Sequence, residues 1–147
     1  MSRLQKKESL KEARRRLIID TAFRIFVEQK IEPVSMGEIA SAAGIGRATL
    51  FRYYANKLEL VVAVCAAKWK EYLDELDAKR PLSSIGDIPA IDRFTFTLDS
   101  YIDMYRYHKD LLQYNDNFNH YVTHEGVREE QLEEFALFGR YETGMDV

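Results

Sequence analysis

Residues 35–60 have the sequence SMGEIASAAGIGRATLFRYYANKLEL, which predicts two short helices joined by a tight turn. Ser35 followed three residues later by Glu38 has the pattern of a capping box, in which each side chain satisfies a free backbone N–H group at a helix start. The first helix should therefore begin near Met36. Gly44 should end it, because glycine readily adopts the left-handed backbone conformation that helix C-termini commonly need.

The apolar positions of this stretch predict that the two helices cross closely. A second helix should run from about Gly46 to Tyr54, with Leu50 and Tyr53 turned toward the first. The small or apolar side chains that would receive them are Ile39, Ala40, Ala43 and Ile45. This pattern is typical of a helix-turn-helix, whose helices cross at roughly 90–120°. An ordinary helical hairpin with a glycine turn is the simpler alternative.

The motif GIGRATLFRYY at residues 44–54 is followed by Asn56, Lys57 and Leu60, and preceded by Ala22, Phe23, Phe26, Ile39 and Ala40. This pattern resembles the N-terminal DNA-binding domain of the TetR family of bacterial transcriptional repressors. The resemblance covers roughly residues 12–62. The family usually has glycine at the position of Ala48 and tyrosine at that of Phe51. Phe51 lacks the hydroxyl, although its ring can still touch a thymine methyl group.

The resemblance implies an all-α fold with two domains. An N-terminal three-helix helix-turn-helix domain, residues 1–57, would be joined by a long linker helix to a helical ligand-binding and dimerisation domain, residues 58–147. It implies a cytoplasmic homodimer that represses transcription from a palindromic DNA operator until a small-molecule effector releases it. Members are commonly longer and dimerise through their last two helices. Here either earlier helices form the interface or the chain is a shortened one.

Arg47 is the residue that we expect to read bases. An arginine at the start of a recognition helix can pair bidentately with guanine O6 and N7, a contact worth about 1–3 kcal/mol of discrimination. The other side chains left outward or flanking are Ala48, Phe51 and Arg52. By the resemblance, phosphates would be contacted by the backbone at Met36 and Gly37 and by the side chains of Thr49, Tyr53 and Lys57.

The net charge of −3 is unevenly distributed along the chain. Residues 1–60 carry 12 Lys and Arg and 7 Asp and Glu, a balance of +5, whereas residues 61–147 carry 9 and 17, a balance of −8. Because phosphate binding depends on local cations and the counterions they release, the N-terminal part is the candidate DNA-binding region. Within it we expect residues 1–7 to form a mobile basic arm. The arginine run at residues 14–16 is either a phosphate contact or solvated surface.

Helical periodicity extends through the rest of the chain. It predicts helices over residues 8–30, 56–79, 90–108, 110–123 and 127–138, with a loop over residues 80–89. By the resemblance, the later helices enclose an effector pocket. The aromatic residues that could line it are Trp69, Phe94, Tyr101, Tyr105, Tyr114, Phe118 and Tyr121. Aromatic stripes at helical spacing are more often plain core, so both interpretations stay open.

The sequence argues against several other classes of protein. No apolar run is long enough to span a bilayer and the N-terminus lacks the apolar region of a signal peptide, so we expect no membrane partner. Cys65 is the single cysteine, so no intrachain disulfide forms. His120 and His124 share a helix face without further ligands, which predicts no metal. With no catalytic motif or cofactor-binding loop, we predict no enzyme and no cofactor. The alternative function is a shortened regulator-like protein that binds a protein partner and binds DNA weakly.

Overall fold

The computed structural model describes residues 2–124, which form six α-helices and one 3₁₀ helix. In chain order these are α1 (Arg3–Gln29), α2 (Met36–Ala42), α3 (Arg47–Tyr53), α4 (Lys57–Lys79), the 3₁₀ helix (Leu82–Asp87), α5 (Ala90–Tyr107) and α6 (Lys109–His124). Because residues 2–124 contain no strand, the prediction of an all-α fold is confirmed. The loop predicted over residues 80–89 contains the 3₁₀ helix. The helix predicted over residues 127–138 lies outside the described residues.

The first helix begins earlier than predicted. Residues 1–7 were expected to form a mobile arm, but α1 already begins at Arg3. Ser2 caps it, because the Gln5 N–H group donates to Ser2 Oγ at 3.2 Å and the Ser2 N–H group donates to Gln5 Oε1 at 2.9 Å. A Ser-x-x-Gln pattern is a capping-box signal that the sequence contained. The prediction of an arm was therefore wrong, since its basic side chains lie on an exposed helix.

The capping box predicted at the start of α2 forms. The Glu38 N–H group donates to Ser35 Oγ at 3.2 Å, and the Ser35 N–H group donates to the Glu38 carboxylate at 2.6 Å. The backbone N–H of Ser35, followed by its hydroxyl, lowers the pKa of the Glu38 carboxyl, and Lys57 adds a smaller effect. Helix α2 consequently begins at Met36, as predicted.

A Schellman turn ends α2 and directs the chain into α3. Gly44 has a φ of +68°, in the left-handed region. The Ile45 N–H group donates to the Ala40 carbonyl at 3.0 Å, and the Gly44 N–H group donates to the Ser41 carbonyl at 3.1 Å. These two bonds define the motif and satisfy carbonyls that the helix end leaves without donors. The turn predicted at Gly44 is confirmed.

Replacing Gly44 by alanine should lower the free energy of unfolding by about 1–2 kcal/mol, because a side chain strains the backbone at this φ. No atom lies within 4 Å of the added Cβ, so crowding adds nothing. Urea denaturation measures the change. Gly86→Ala is the matched control, since its added Cβ also meets no atom within 4 Å and its φ is not positive. Equal losses in the two variants would contradict the assignment.

One buried core joins the helix-turn-helix to α6. Its fully buried members are Phe26, Ile18, Ile31, Ile39, Leu50, Leu60, Val61, Val64 and Tyr114. Burying a large apolar side chain contributes about 1.5–3 kcal/mol, so this cluster is the main source of stability for the crossing helices. Helix α5 is attached separately, through a smaller cluster of Tyr72, Met104 and Leu111.

Two buried polar side chains bind α6 to the helices beneath it. Asn117 Nδ2 donates to the carbonyl of Phe26 at 2.9 Å. That carbonyl is one of the last four in α1, which lack a helical donor. The hydroxyl of Tyr114 donates to the carbonyl of Val61 in α4 at 2.6 Å. Helix α6 is therefore hydrogen-bonded to both long helices that flank the helix-turn-helix.

The protein should lose stability above about pH 10, and Tyr114→Phe should remove part of that loss. Burial is the main cause that raises the pKa of Tyr114 well above its ordinary value. The unfolded chain releases this proton near pH 10 whereas the folded protein retains it. Its contribution is therefore complete below pH 10 and falls above it, by up to about 1.4 kcal/mol per pH unit.

Urea denaturation between pH 8 and about pH 11 measures this difference. Burial also raises the pKa values of Tyr72 and of Cys65, the latter to about 11, so some alkaline loss should persist in Tyr114→Phe. Tyr107→Phe is the control because this ring is exposed. An unchanged pH dependence in Tyr114→Phe would show that Tyr114 ionises alike in the folded and unfolded chains.

Candidate nucleic-acid interface

Helix α3 presents one exposed face with two arginines. Leu50 is fully buried and fixes the orientation of the helix. Arg47, Ala48, Phe51 and Arg52 are all exposed. The Arg47 guanidinium lies 5.9 Å from the ring centroid of Phe51, one helical turn away. The structure therefore brings the four outward residues predicted from the sequence together on one surface.

The edge of this surface is formed by half-buried side chains and by α1. Thr49 and Tyr53 are both half-buried. The guanidinium of Arg15 lies 6.0 Å from the Tyr53 ring centroid and contacts the Glu12 carboxylate at 2.9 Å. One arginine of the run at residues 14–16 thus lies beside α3. Tyr54, whose role the sequence left ambiguous, is buried in the core.

The start of α2 offers backbone groups rather than side chains. Met36 and Gly37 occupy its first turn, where backbone N–H groups have no helical acceptor. The Met36 side chain is buried, so a ligand at this point would meet only main chain. The Glu38 carboxylate lies in the same turn and lowers the local affinity for a phosphate through like-charge repulsion.

Lys57, at the start of α4, is engaged by two neighbours. Its Nζ donates to the carbonyl of Glu32 at 3.0 Å and lies 5.5 Å from the ring centroid of Tyr121. His120 Nε2 lies 3.6 Å from Glu32 Oε1, so α6 reaches the same loop before α2. A phosphate contact by Lys57 would share the ammonium group with these partners or replace them.

The aromatic residues predicted for an effector pocket lie in three places. In the main core are Tyr114, Phe118 and Tyr121. Exposed on the outer face of α5 are Phe94, Tyr101 and Tyr105. The seventh, Trp69, packs edge-on against Tyr72. Within residues 2–124 these side chains do not surround a common cavity, and the cleft between α4 and α5 is lined by others, including Arg80, Phe96 and Asp103.

The two histidines of α6 contact each other. The ring centroids of His120 and His124 are 4.0 Å apart, and His124 Nδ1 lies 2.9 Å from the His120 carbonyl oxygen. Across the described part of the chain, no three His, Cys, Asp or Glu side chains are grouped so that they could hold a metal ion. None of the helices in residues 2–124 is both long and apolar enough to cross a membrane.

A comparison with known families matches this geometry. The model of the bacterial regulatory proteins of the tetR family matches residues 18–64. This range begins at the first buried residue of α1, includes α2 and α3, and ends in α4. The chain therefore carries a TetR-family domain. The resemblance found in the sequence is confirmed, and α3 is the second helix of its helix-turn-helix.

Curated relatives align with the same TetR-family domain. The HTH-type transcriptional regulator AcrR of Shigella flexneri is 37% identical over 60 residues, which are 41% of this chain and 27% of AcrR. The HTH-type transcriptional repressor LfrR of Mycolicibacterium smegmatis is 37% identical over 54 residues, which are 37% of this chain and 28% of LfrR. The chain thus spans little more than a quarter of the length of either relative.

A solved structure extends the similarity beyond the TetR-family domain. The fatty acid degradation regulator FadR from Bacillus halodurans superposes with a TM-score of 0.50 at 17% sequence identity. The match covers 90% of this chain and 72% of that chain. At this level of identity the likeness is one of fold, and it agrees with the all-helical architecture.

Proposed function

We propose that the protein is a DNA-binding transcriptional regulator that places α3 in the major groove of duplex DNA. The exposed face of α3 is the observation that carries this proposal. An α-helix fits the major groove, and an arginine there can read guanine through two hydrogen bonds. Arg47 has the base-reading role, Ala48, Phe51 and Arg52 flank it, and Thr49, Tyr53 and Lys57 contact phosphates together with the backbone of Met36 and Gly37.

The charge distribution supports this orientation. The balance of +5 over residues 1–60 surrounds α3, whereas residues 61–147 carry −8. Arg15 of α1 lies beside Tyr53 at the edge of the same surface. A basic region next to an acidic one favours a single docking orientation, because the acidic part is repelled by the phosphates.

The regulator acts as a homodimer on a palindromic operator. Two copies would set their α3 helices about 34–36 Å apart, which matches one turn of DNA. We assign it the role of a cytoplasmic repressor, in keeping with the name of LfrR, with residues 1–57 for DNA and residues 58–147 for a small-molecule effector. Release requires the effector to bind two conformations with different affinities.

Helix α6 is the element that would transmit the effector signal. Asn117 binds the end of α1, and Tyr121 lies against Lys57 at the start of α4. A shift of α6 would change the support of both helices and the position of the Lys57 ammonium group. The DNA-binding and effector-binding parts are therefore coupled through these contacts.

Salt-dependent binding to a selected duplex tests the proposal. Duplexes enriched by the purified chain from a random pool should bind roughly 10³-fold or more tightly than scrambled duplexes. The logarithm of the binding constant should fall linearly with the logarithm of salt concentration, with a slope of about −0.9 for each phosphate neutralised. Equal binding of both duplexes, or no binding by the folded chain at low salt, would overturn the proposal and favour a protein-interaction module.

Lys57→Ala should weaken binding to selected and scrambled duplexes alike and reduce the salt slope by about 1, because the lysine meets phosphate and not bases. Filter binding over a series of salt concentrations measures both quantities. Lys70→Ala is the matched control, since Lys70 is an exposed lysine of the same helix that is paired with Asp74. If the two variants bind alike, Lys57 keeps its contacts with Glu32 and Tyr121 in the complex.

A further inference from the structure

The outer face of α5 is a continuous apolar surface. Six large side chains on it are each 40–68% exposed: Ile91, Phe94, Leu98, Tyr101, Ile102 and Tyr105. With about 150–250 Å² for each aromatic side chain and somewhat less for each aliphatic one, the six together expose roughly 600 Å². The largest apolar patch on a typical monomer is about 300–600 Å², so this surface is large enough to mark an interface.

The spacing of these residues indicates that the covering element is a helix. Positions 91, 94, 98, 101 and 105 alternate steps of three and four residues, which is the spacing of a coiled-coil seam. The opposite side of α5 is already packed, because the Tyr72 hydroxyl of α4 donates to the Ser100 carbonyl at 3.2 Å and Met104 is buried beside it. The seam therefore faces away from the rest of the described chain.

We propose that this surface pairs with the same surface of a second copy of the chain, with the two α5 helices antiparallel about a two-fold axis at Leu98. The seam is symmetric about this residue. Ile91 and Tyr105 lie seven residues on either side of it, and Phe94 and Ile102 lie four residues on either side. Antiparallel pairing places each of these aromatic rings opposite an aliphatic side chain of the other copy. Such self-complementarity is what an isologous two-fold interface requires.

Charge and area support the same occupant. Asp92 and Arg106 are exposed on one flank of the seam, near its opposite ends. Antiparallel pairing brings Asp92 of one copy toward Arg106 of the other, whereas parallel pairing opposes like charges, which is unfavourable. The roughly 600 Å² of the six side chains also approaches the ≈ 800 Å² that each partner contributes to a standard interface. This inference rests on α5 alone and is independent of DNA binding.

Sedimentation velocity of the full chain without DNA tests the interface. The unchanged protein should be a dimer at micromolar concentration, and Leu98→Lys should be monomeric with an unchanged circular dichroism spectrum and melting temperature. Asn119→Lys is the control, because it adds the same charge at an exposed position of α6 and should stay dimeric. A monomeric unchanged protein, or a dimer that persists in Leu98→Lys, would overturn the proposal. A monomer that Leu98→Lys destabilises would assign the surface to residues 125–147 instead.

Disulfide cross-linking tests the antiparallel orientation. In a Cys65→Ala background, which removes the single native thiol, Leu98→Cys should form a covalent dimer under mild oxidation. Ile91→Cys should not, because antiparallel pairing separates the two copies of residue 91 by about 21 Å along the helix axis, and a disulfide needs Cα atoms within about 7 Å. Cross-linking of both variants would show parallel pairing, and cross-linking of neither would remove the α5 interface.

Discussion

Replacing Leu50 by alanine should lower the free energy of unfolding by about 2–5 kcal/mol, the largest effect expected of a single substitution in this protein. Leu50 is fully buried and is the only buried residue of the seven-residue helix α3. A helix this short has little stability of its own and depends on packing. Truncating Leu50 therefore removes the anchor that positions α3, and binding to a selected duplex should be lost together with stability.

Urea denaturation and DNA binding measured on the same preparation check both effects. Phe51→Ala is the matched control for stability, because it removes a larger but 40% exposed side chain from the next position and should cost far less. A Leu50→Ala variant as stable as Phe51→Ala would show that α3 does not depend on the shared core. In that case the placement of the recognition surface would need another explanation.

Replacing Arg47 by alanine should weaken binding to the selected duplex by about 5- to 150-fold, the equivalent of about 1–3 kcal/mol, and relax its preference for a guanine. Arg47 is exposed, and its guanidinium rests near the Phe51 ring, so its removal leaves the core intact. Binding to a scrambled duplex should fall much less, because only one charge is lost there.

Two variants separate base reading from charge in this measurement. Arg47→Lys keeps the charge but loses the planar fork, so it should retain the salt slope and lose the base preference. Arg24→Ala removes an exposed arginine elsewhere in the basic half and should affect selected and scrambled duplexes equally. If Arg47→Ala behaved as Arg24→Ala does, Arg47 would be a phosphate contact or solvated surface, and base reading would belong to Arg52 or Phe51.

The helix-turn-helix could be predicted because its limits are set by neighbouring residues. The bond between Ser35 and Glu38 spans three residues, and the turn at Gly44 depends on that residue's own backbone freedom. The start of α1 was missed although Ser2 and Gln5 carry the same capping pattern. The exposed basic residues after them lack the apolar periodicity that marks a packed helix, which favoured the interpretation as an arm.

Contacts between distant residues could not be predicted in this way. The bond from Lys57 to the Glu32 carbonyl joins residues 25 positions apart, and that from Asn117 to Phe26 joins residues 91 apart. Both depend on how α6 packs across α1 and α4. The aromatic stripe of α5 looked like core or pocket because periodicity shows that residues share a face but not what covers it. The structure places that face outward.

The most direct measurement is a footprint of the purified chain on the DNA upstream of its own gene, at low and moderate salt. A homodimer that reads bases through α3 should protect two symmetric half-sites one helical turn apart, and both should weaken together as salt increases. Absence of any protection at low salt, with the protein folded by circular dichroism, would contradict the assignment of α3 as a recognition helix.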